Sequence, residues 1–483
     1  MTRRTASLFI VAGLLGLASP GMADDPDWRQ LRVPPLDAFT PAQPRRVELP
    51  NGLVLMLQED HELPLIRGIA RIRGGSRDEP AMKVGLASIY GQVWRTGGTR
   101  SRTGDELDDF LEARAARVES GSGIDATTLS WNCLAENLDE VFPVFLDLLR
   151  NPEFREDKIA LAKDRLYTEI ARRNDDPTEI ADREAQRLGY GADSPYARLE
   201  EYATVASVER ADLVSWHDRY VRPNATILGV VGDFHADQME ARLRKALASW
   251  PRGEAVPAPP AQVQDPKPGV YLVAKEDVNQ SNIRMVHAGA RKDSPDFYAL
   301  EVMNEIFGGG FASRLVTNVR SRKGLAYYVS GGVGTAFDHS GLFTVAMGTK
   351  SETTAAGIDA LLEEMGSVAS GPFTEDELER AKDAILNSFV FTVDSKEKVL
   401  FTRMRHEFYG YPADFLERYR TGVERVTLED VARVAREYVH RDRIALLVVG
   451  KEEDFDRPLS SFGPVTRIDV SIPGPASVPA PSN

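Results

Sequence analysis

One pattern is used twice along this 483-residue chain. Residues 154–164 read FREDKIALAKD and residues 373–383 read FTEDELERAKD, an offset of 219. Phe154, Glu156, Asp157 and Ala162-Lys163-Asp164 fall on Phe373, Glu375, Asp376 and Ala381-Lys382-Asp383. The segment VERADLVSWHDRYVRPNATILGVVGDF (208–234) lies over VTLEDVARVAREYVHRDRIALLVVGKEEDF, with Val208, Asp212, Tyr220, Val221 and Gly232 on Val426, Asp430, Tyr438, Val439 and Gly450. GGSRDEP near residue 75 matches AGARKDSP near residue 289. Three matches, in order and at nearly constant spacing, define a duplicated unit of about 220 residues, so the chain must fold as two copies of one architecture.

Between the copies lies PRGEAVPAPPAQVQDPKPG (251–269). Proline at that density continues neither a helix nor a central strand, so the segment reads as a linker. Within each copy the order is strand, strand, helix, strands, paired helices, strand. VELPNGLVLMLQED alternates apolar residues around Asn51-Gly52, a hairpin signal. ENLDEVFPVFLDLLRN spaces Leu138, Val141, Phe142, Phe145, Leu148 and Leu149 as one helix face, and Pro152 ends it. TILGVVGDF and RIALLVVGK are short β-branched runs suited to central strands. The fold class is α+β: two homologous α/β-layered domains, each an antiparallel-rich sheet with helices packed on it, joined by the Pro-rich linker.

The amino terminus has the parts of a secretory signal: Arg3-Arg4, an apolar stretch over residues 6–18, and Gly21-Met22-Ala23 as a small-x-small cleavage site. The predicted organisation is a signal peptide over 1–23, an N-terminal domain over 24–250, the linker over 251–269, a C-terminal domain over 270–462 and a flexible tail over 463–483. The expected location is the periplasm, with no membrane span in the mature form, because no later run of 18 apolar residues occurs. Removal of residues 1–23 leaves a net charge of −16, which argues against nucleic acid as a partner. Cys133 is the single cysteine, so an intrachain disulfide is excluded; in TTLSWNCLAE it reads as a small buried side chain on a strand.

Hydrolytic chemistry needs a nucleophile or a metal. No G-x-S-x-G elbow and no C-x-x-C occurs. The seven histidines, His61, His217, His235, His287, His339, His406 and His440, are far apart, so no helix presents a His pair at i and i+4. A site assembled from histidines distant in sequence stays open. FGGGFASRLVTNVRSRKGLAYY (307–328) has three glycines and a basic stretch, but it lacks the G-x-x-x-x-G-K-[ST] spacing of a phosphate loop.

The repeat, the linker and two local patterns together resemble the insulinase-like (M16) zinc metallopeptidases over about residues 45–460. In that family a turn like Gly75-Ser76-Arg77-Asp78-Glu79-Pro80 precedes a helix opening G-L-A-H-x-x-E-H. Its two histidines bind zinc and its glutamate is the general base. Here Gly85-Leu86-Ala87 is followed by Ser88-Ile89-Tyr90-Gly91-Gln92. Ser88 and Gln92 stand at the two histidine positions and Gly91 at the base. The family's third ligand falls on Glu169, which alone cannot hold zinc and is expected to be a solvated or lid-facing helix residue. The second half keeps more. Gly308-Gly309-Gly310, Ser313-Arg314-Leu315, Arg320 and Gly324-Leu325-Ala326-Tyr327 match the family segment that carries an Arg and a Tyr seven residues apart.

The resemblance implies a zinc-free companion subunit of a heterodimeric peptidase. It carries no cofactor of its own, and zinc is expected in an H-x-x-E-H-bearing partner. Arg320 and Tyr327 would stabilise the transition state, and Gly308, Gly309 and Gly310 would lie beside an unfolded peptide. Gly324 is expected to end a helix so that Arg320 and Tyr327 approach one side, with Arg322 and Lys323 as a solvated helix end and Tyr328 as packing. The alternatives are Arg320 as a helix-terminal charge with Tyr327 as a core-edge aromatic, and, for the whole chain, a non-catalytic peptide-binding or scaffolding protein.

Overall fold

The computed structural model describes residues 41, 43–256, 258 and 266–474. The signal segment, the middle of the linker and residues 475–483 lie outside the described residues. The first half contains the strands β1 (Arg45–Glu48), β2 (Val54–Glu59) and β3 (Leu65–Arg73), then helices α1 (Leu86–Thr96) and α2 (Gly104–Glu112). Strands β4 (Arg117–Ser122) and β5 (Ala126–Leu134) follow, then α3 (Leu138–Arg150), α4 (Glu156–Arg172), α5 (Pro177–Tyr190), α6 (Tyr202–Ala206) and α7 (Arg210–Tyr220). Strand β6 (Thr226–Gly232) and helix α8 (Ala236–Leu247) complete it.

The second half repeats the plan with β7 (Gly269–Ala274), β8 (Gln280–Ala288), β9 (Ala290–Arg291), α9 (Phe297–Phe307) and a π-helix over Leu315–Arg322. Next come β10 (Tyr328–Ala336), β11 (Ser340–Lys350), α10 (Thr354–Ser370), α11 (Glu375–Phe389), α12 (Lys396–Phe408), α13 (Phe415–Arg425) and α14 (Leu428–Tyr438), then β12 (Ala445–Gly450) and β13 (Val465–Arg467).

The sheet orders show the duplication. The first is β1-β2-β6-β3-β5-β4 and the second β13-β7-β12-β8-β11-β10-β9. Strands β2-β6-β3-β5-β4 correspond one for one to β7-β12-β8-β11-β10. The apolar runs expected at the centre are there: every residue of β6 and of β12 is buried. The hairpin at Asn51-Gly52 forms, with Glu48 opposite Val54 and Gly52 at φ +88°, a conformation glycine takes without a Cβ clash. Cys133 is buried on β5, and burial pushes its thiol up to about 11.

A strand buried on both faces needs two covering layers. Each half supplies one to itself: α1, α3 and α4 pack the first main core, and α9, α10 and α14 the second. The other layer is exchanged. Helix α5 of the first half lies on β8 and β12, where Ile180, Ala181 and Ala185 meet Val273, Val286, Ala445, Leu447 and Val449. Helix α12 of the second half lies on β2 and β6, where Leu400, Met404 and Phe408 meet Met56, Ala126, Ile227 and Val231. The two helices are repeat mates, so the exchange is reciprocal. A Cβ on Gly229 would sit 2.1 Å from the Met404 sulfur, so the glycine lets α12 seat on β6.

The segment expected to be a flexible tail is placed as far as residue 474. β13 pairs in parallel with β7 along Val465–Arg467, and the Val470 carbonyl accepts a hydrogen bond from Asn174 at 2.7 Å. The Pro/Ser/Ala-rich composition gave no sign of this, because an edge strand needs only a few residues and a free neighbour. No helix among the described residues is long and apolar enough to cross a membrane.

Candidate functional site

Helix α1 follows the GSRDEP turn, as expected, but its chemistry is structural. Gly85 sits at φ +104° ahead of the first turn, and the buried Glu79 carboxylate accepts the Ala87 N–H at 2.6 Å and the Gly85 N–H at 3.3 Å. Burial raises the Glu79 carboxyl to about 7, because desolvation outweighs those two bonds. Ser88 and Gln92 are half-buried, and Gly91 is buried against edge strand β4. A Cβ on Gly91 would lie 2.6 Å from the Ser122 nitrogen, and the Ser120 hydroxyl donates to the Gly91 carbonyl at 2.6 Å. Glu169 is exposed on α4 and pairs with Arg165 at 3.1 Å, the solvated role expected of it. Two imidazoles, the base and room for its side chain are all lacking, so these residues do not fit a zinc ion.

The glycine-rich segment of the second half is built to hold a corner. Gly308 makes an antiparallel bridge to Gly331 of β10, and a Cβ on it would meet the Gly331 nitrogen at 2.4 Å. Its first constraint is therefore close approach to the chain's own strand. Gly309 is exposed and Gly310 half-buried. Arg314 then anchors the segment: its guanidinium bonds both oxygens of Glu377 at 2.7 and 3.0 Å, donates to the Pro372 carbonyl, and lies over the Phe373 ring. Glu377 is itself fixed, since Thr374 and Glu377 cap α11 reciprocally. The strongest repeat match, FTEDELERAKD, thus supplies the post to which the candidate loop is tied.

Residues Leu315–Arg322 wind as a π-helix, with Leu315 and Val319 buried. Such turns are rare and occur often at functional positions. Arg320 is exposed on its last turn, and Gly324, at φ +65°, turns the chain after it. Tyr327 donates its backbone N–H to Gly348 at 2.9 Å immediately before β10, yet the residue is 80% exposed. Among the described residues neither the Arg320 guanidinium nor the Tyr327 hydroxyl has a hydrogen-bond or ion-pair partner, and no ring contact joins the two. Neighbouring groups are engaged: Arg322 bonds Asn318 at 3.0 Å and Lys323 pairs with Glu363. Tyr328 packs over Gly348, donates to Asn282 at 2.7 Å and accepts from Arg284 at 3.0 Å. Arg284 in turn pairs with Asp182 of α5, so Tyr328 belongs to the exchanged interface.

Sequence reading found the corner but missed what the ends of β2 and β6 bring together. Glu59-x-His61 and Asp233-x-His235 follow neighbouring strands, and each has an acid two residues before a histidine. That shared spacing is the signal that could have been read.

Two family models match the chain in sequence order. The model for insulinase (peptidase family M16) covers residues 69–193, and the model for the peptidase M16 inactive domain covers 207–385. An uncharacterized zinc protease of Mycobacterium bovis is 26% identical over 429 residues, 87% of this chain and 96% of that protein. A non-peptidase homolog of Helicobacter pylori is 23% identical over 405 residues, 83% of this chain and 92% of that protein. The crystal structure of a peptidase M16 inactive domain from Pseudomonas fluorescens superposes with a TM-score of 0.79 at 21% identity, covering 86% of this chain and all of that one. With both models matching in order over more than half of its length, the chain belongs to the insulinase-type peptidase family M16.

Proposed function

We propose that this chain is the companion subunit, free of catalytic zinc, of a heterodimeric periplasmic M16-type metallopeptidase. It offers Arg320 and Tyr327 to an unfolded peptide that is cut at the zinc of an H-x-x-E-H-bearing partner. The observation that carries the reading is the pair itself: an unpaired guanidinium and an 80% exposed tyrosine on a corner that Arg314 anchors to Glu377 and whose Arg322, Lys323 and Tyr328 are engaged elsewhere. Attack on a peptide carbonyl builds negative charge on its oxygen. A phenol O–H and a guanidinium directed at that oxygen, or at adjacent backbone carbonyls, stabilise the transition state more than the ground state. Zinc and the base would come from the partner, since Ser88, Gly91 and Gln92 supply neither.

The test is recovery of a tagged chain from its native cells, followed by Tyr327→Phe and Arg320→Ala in the reconstituted pair. A zinc-motif partner should copurify, and each variant should lower kcat/KM by about tenfold to a thousandfold. Recovery of this chain alone or as a homodimer sinks the proposal. A second reading, a peptide-binding or scaffolding protein, is favoured by the relative described as a non-peptidase homolog. It wins if both variants leave hydrolysis unchanged while peptide binding persists.

A further inference from the structure

Strands β2 and β6 are parallel neighbours, with Glu59 opposite Gly232 at their carboxyl ends. The two loops therefore leave the sheet side by side, one carrying His61 and the other Asp233 and His235. Glu59, His61 and His235 can each present one ligand atom such that all three lie within 4.8 Å of one another, the only such group among the described residues. They stand where β3 begins, whereas α1, with its Ser88 and Gln92, follows the other end of that strand.

The ligand atoms are held in place by a second layer of bonds. The Glu59 Oε1 atom accepts the backbone N–H of Ala236, at the start of α8, at 2.6 Å, which leaves Oε2 for another partner. His61 Nδ1 lies 2.7 Å from Asp233 Oδ1, and His61 Nε2 lies 3.3 Å from Glu59 Oε2. A carboxylate on one imidazole nitrogen fixes the ring so that the other nitrogen faces a metal, the usual outer shell of a histidine ligand. Two ligand atoms bound at about 2.0–2.1 Å in tetrahedral geometry stand roughly 3.3 Å apart, the separation seen between His61 Nε2 and Glu59 Oε2. The His235 ring centroid lies 5.9 Å from that of His61, close enough to close the triad.

We infer that Glu59, His61 and His235 form a surface site for a divalent transition-metal ion of the zinc class, with Asp233 as the carboxylate that positions His61. Two imidazoles and one carboxylate suit zinc and its borderline neighbours better than calcium or magnesium, which prefer all-oxygen shells. With three protein ligands the ion keeps at least one position for water or an incoming group.

The test is calorimetric titration of the full purified chain with Zn²⁺, without its partner. One equivalent should bind to the wild-type chain. His61→Ala and His235→Ala should each weaken that binding at least tenfold, and Asp233→Asn by about tenfold to a hundredfold. The His61 and Asp233 side chains are 49% and 40% exposed and His235 is exposed, so the variants should fold; an unchanged Tm in chelator checks this. No saturable binding, or one equivalent that survives both histidine changes, overturns the site. In the first case His61 is held only as an ion pair between Glu59 and Asp233. A fall with His235→Ala but none with Asp233→Asn overturns the positioning role alone.

Discussion

At the scale of single residues, three histidines and one glutamate set opposing pH responses. Burial lowers His217, His287 and His406 to about 4 from 6.5, because desolvation penalises the imidazolium. Each therefore stabilises the fold above pH 6.5, and that stability is lost as pH falls towards 4. Glu79 works the other way: its folded carboxyl is raised from 4.5 to about 7, so its burial costs stability as pH rises through that window. The urea midpoint should fall on acidification from neutrality to pH 4.5, and Glu79→Gln should make the fall steeper. A midpoint that is flat over this range, or less steep in the variant, contradicts the assignment. That the Glu within the GSRDEP turn would cap α1 was not legible in sequence, since the turn and helix read the same whether the carboxylate points in or out.

At the scale of elements, α1 shows how a catalytic helix position becomes a packing position. Gly91 lets the helix approach β4 so closely that any side chain must displace the Ser122 backbone. Gly91→Glu, which returns the family's base, should lower stability by about 1–3 kcal/mol, measured as a reduced urea midpoint, and should not produce hydrolysis in the chain alone. An unchanged midpoint would mean that the helix shifts freely on the sheet. The segment 307–328 makes the complementary point. Its helix end at Gly324, its solvated Arg322 and Lys323 and its inward Tyr328 were readable from residue type and spacing. The π winding and the tie from Arg314 to Glu377 were not, because both depend on where α11 packs.

At the scale of the whole molecule, the exchange of α5 and α12 makes each half part of the other's core. All five tryptophans, Trp28, Trp94, Trp131, Trp216 and Trp250, precede the linker, so their fluorescence reports on the first half, while far-UV circular dichroism reports on both. Ile180→Ala empties the contact of α5 with the second sheet, and Met404→Ala that of α12 with the first. Each should cost about 2–5 kcal/mol, and in each variant fluorescence and dichroism should fall in one coincident transition. Two separated transitions would show that the halves unfold independently.

The sequence by itself determined the duplication, the order of strands and helices, the buried central strands and the loss of the zinc motif, because these depend on periodicity, turn residues and the identity of side chains along the chain. Only the tertiary structure decided which half each covering helix serves, that residues 465–467 close the second sheet, that Arg320 and Tyr327 stand free while Tyr328 is spent on the interface, and that His61 and His235 meet. Those outcomes rest on contacts between residues tens to hundreds of positions apart, and local pattern carries no record of which distant surface a buried face will find.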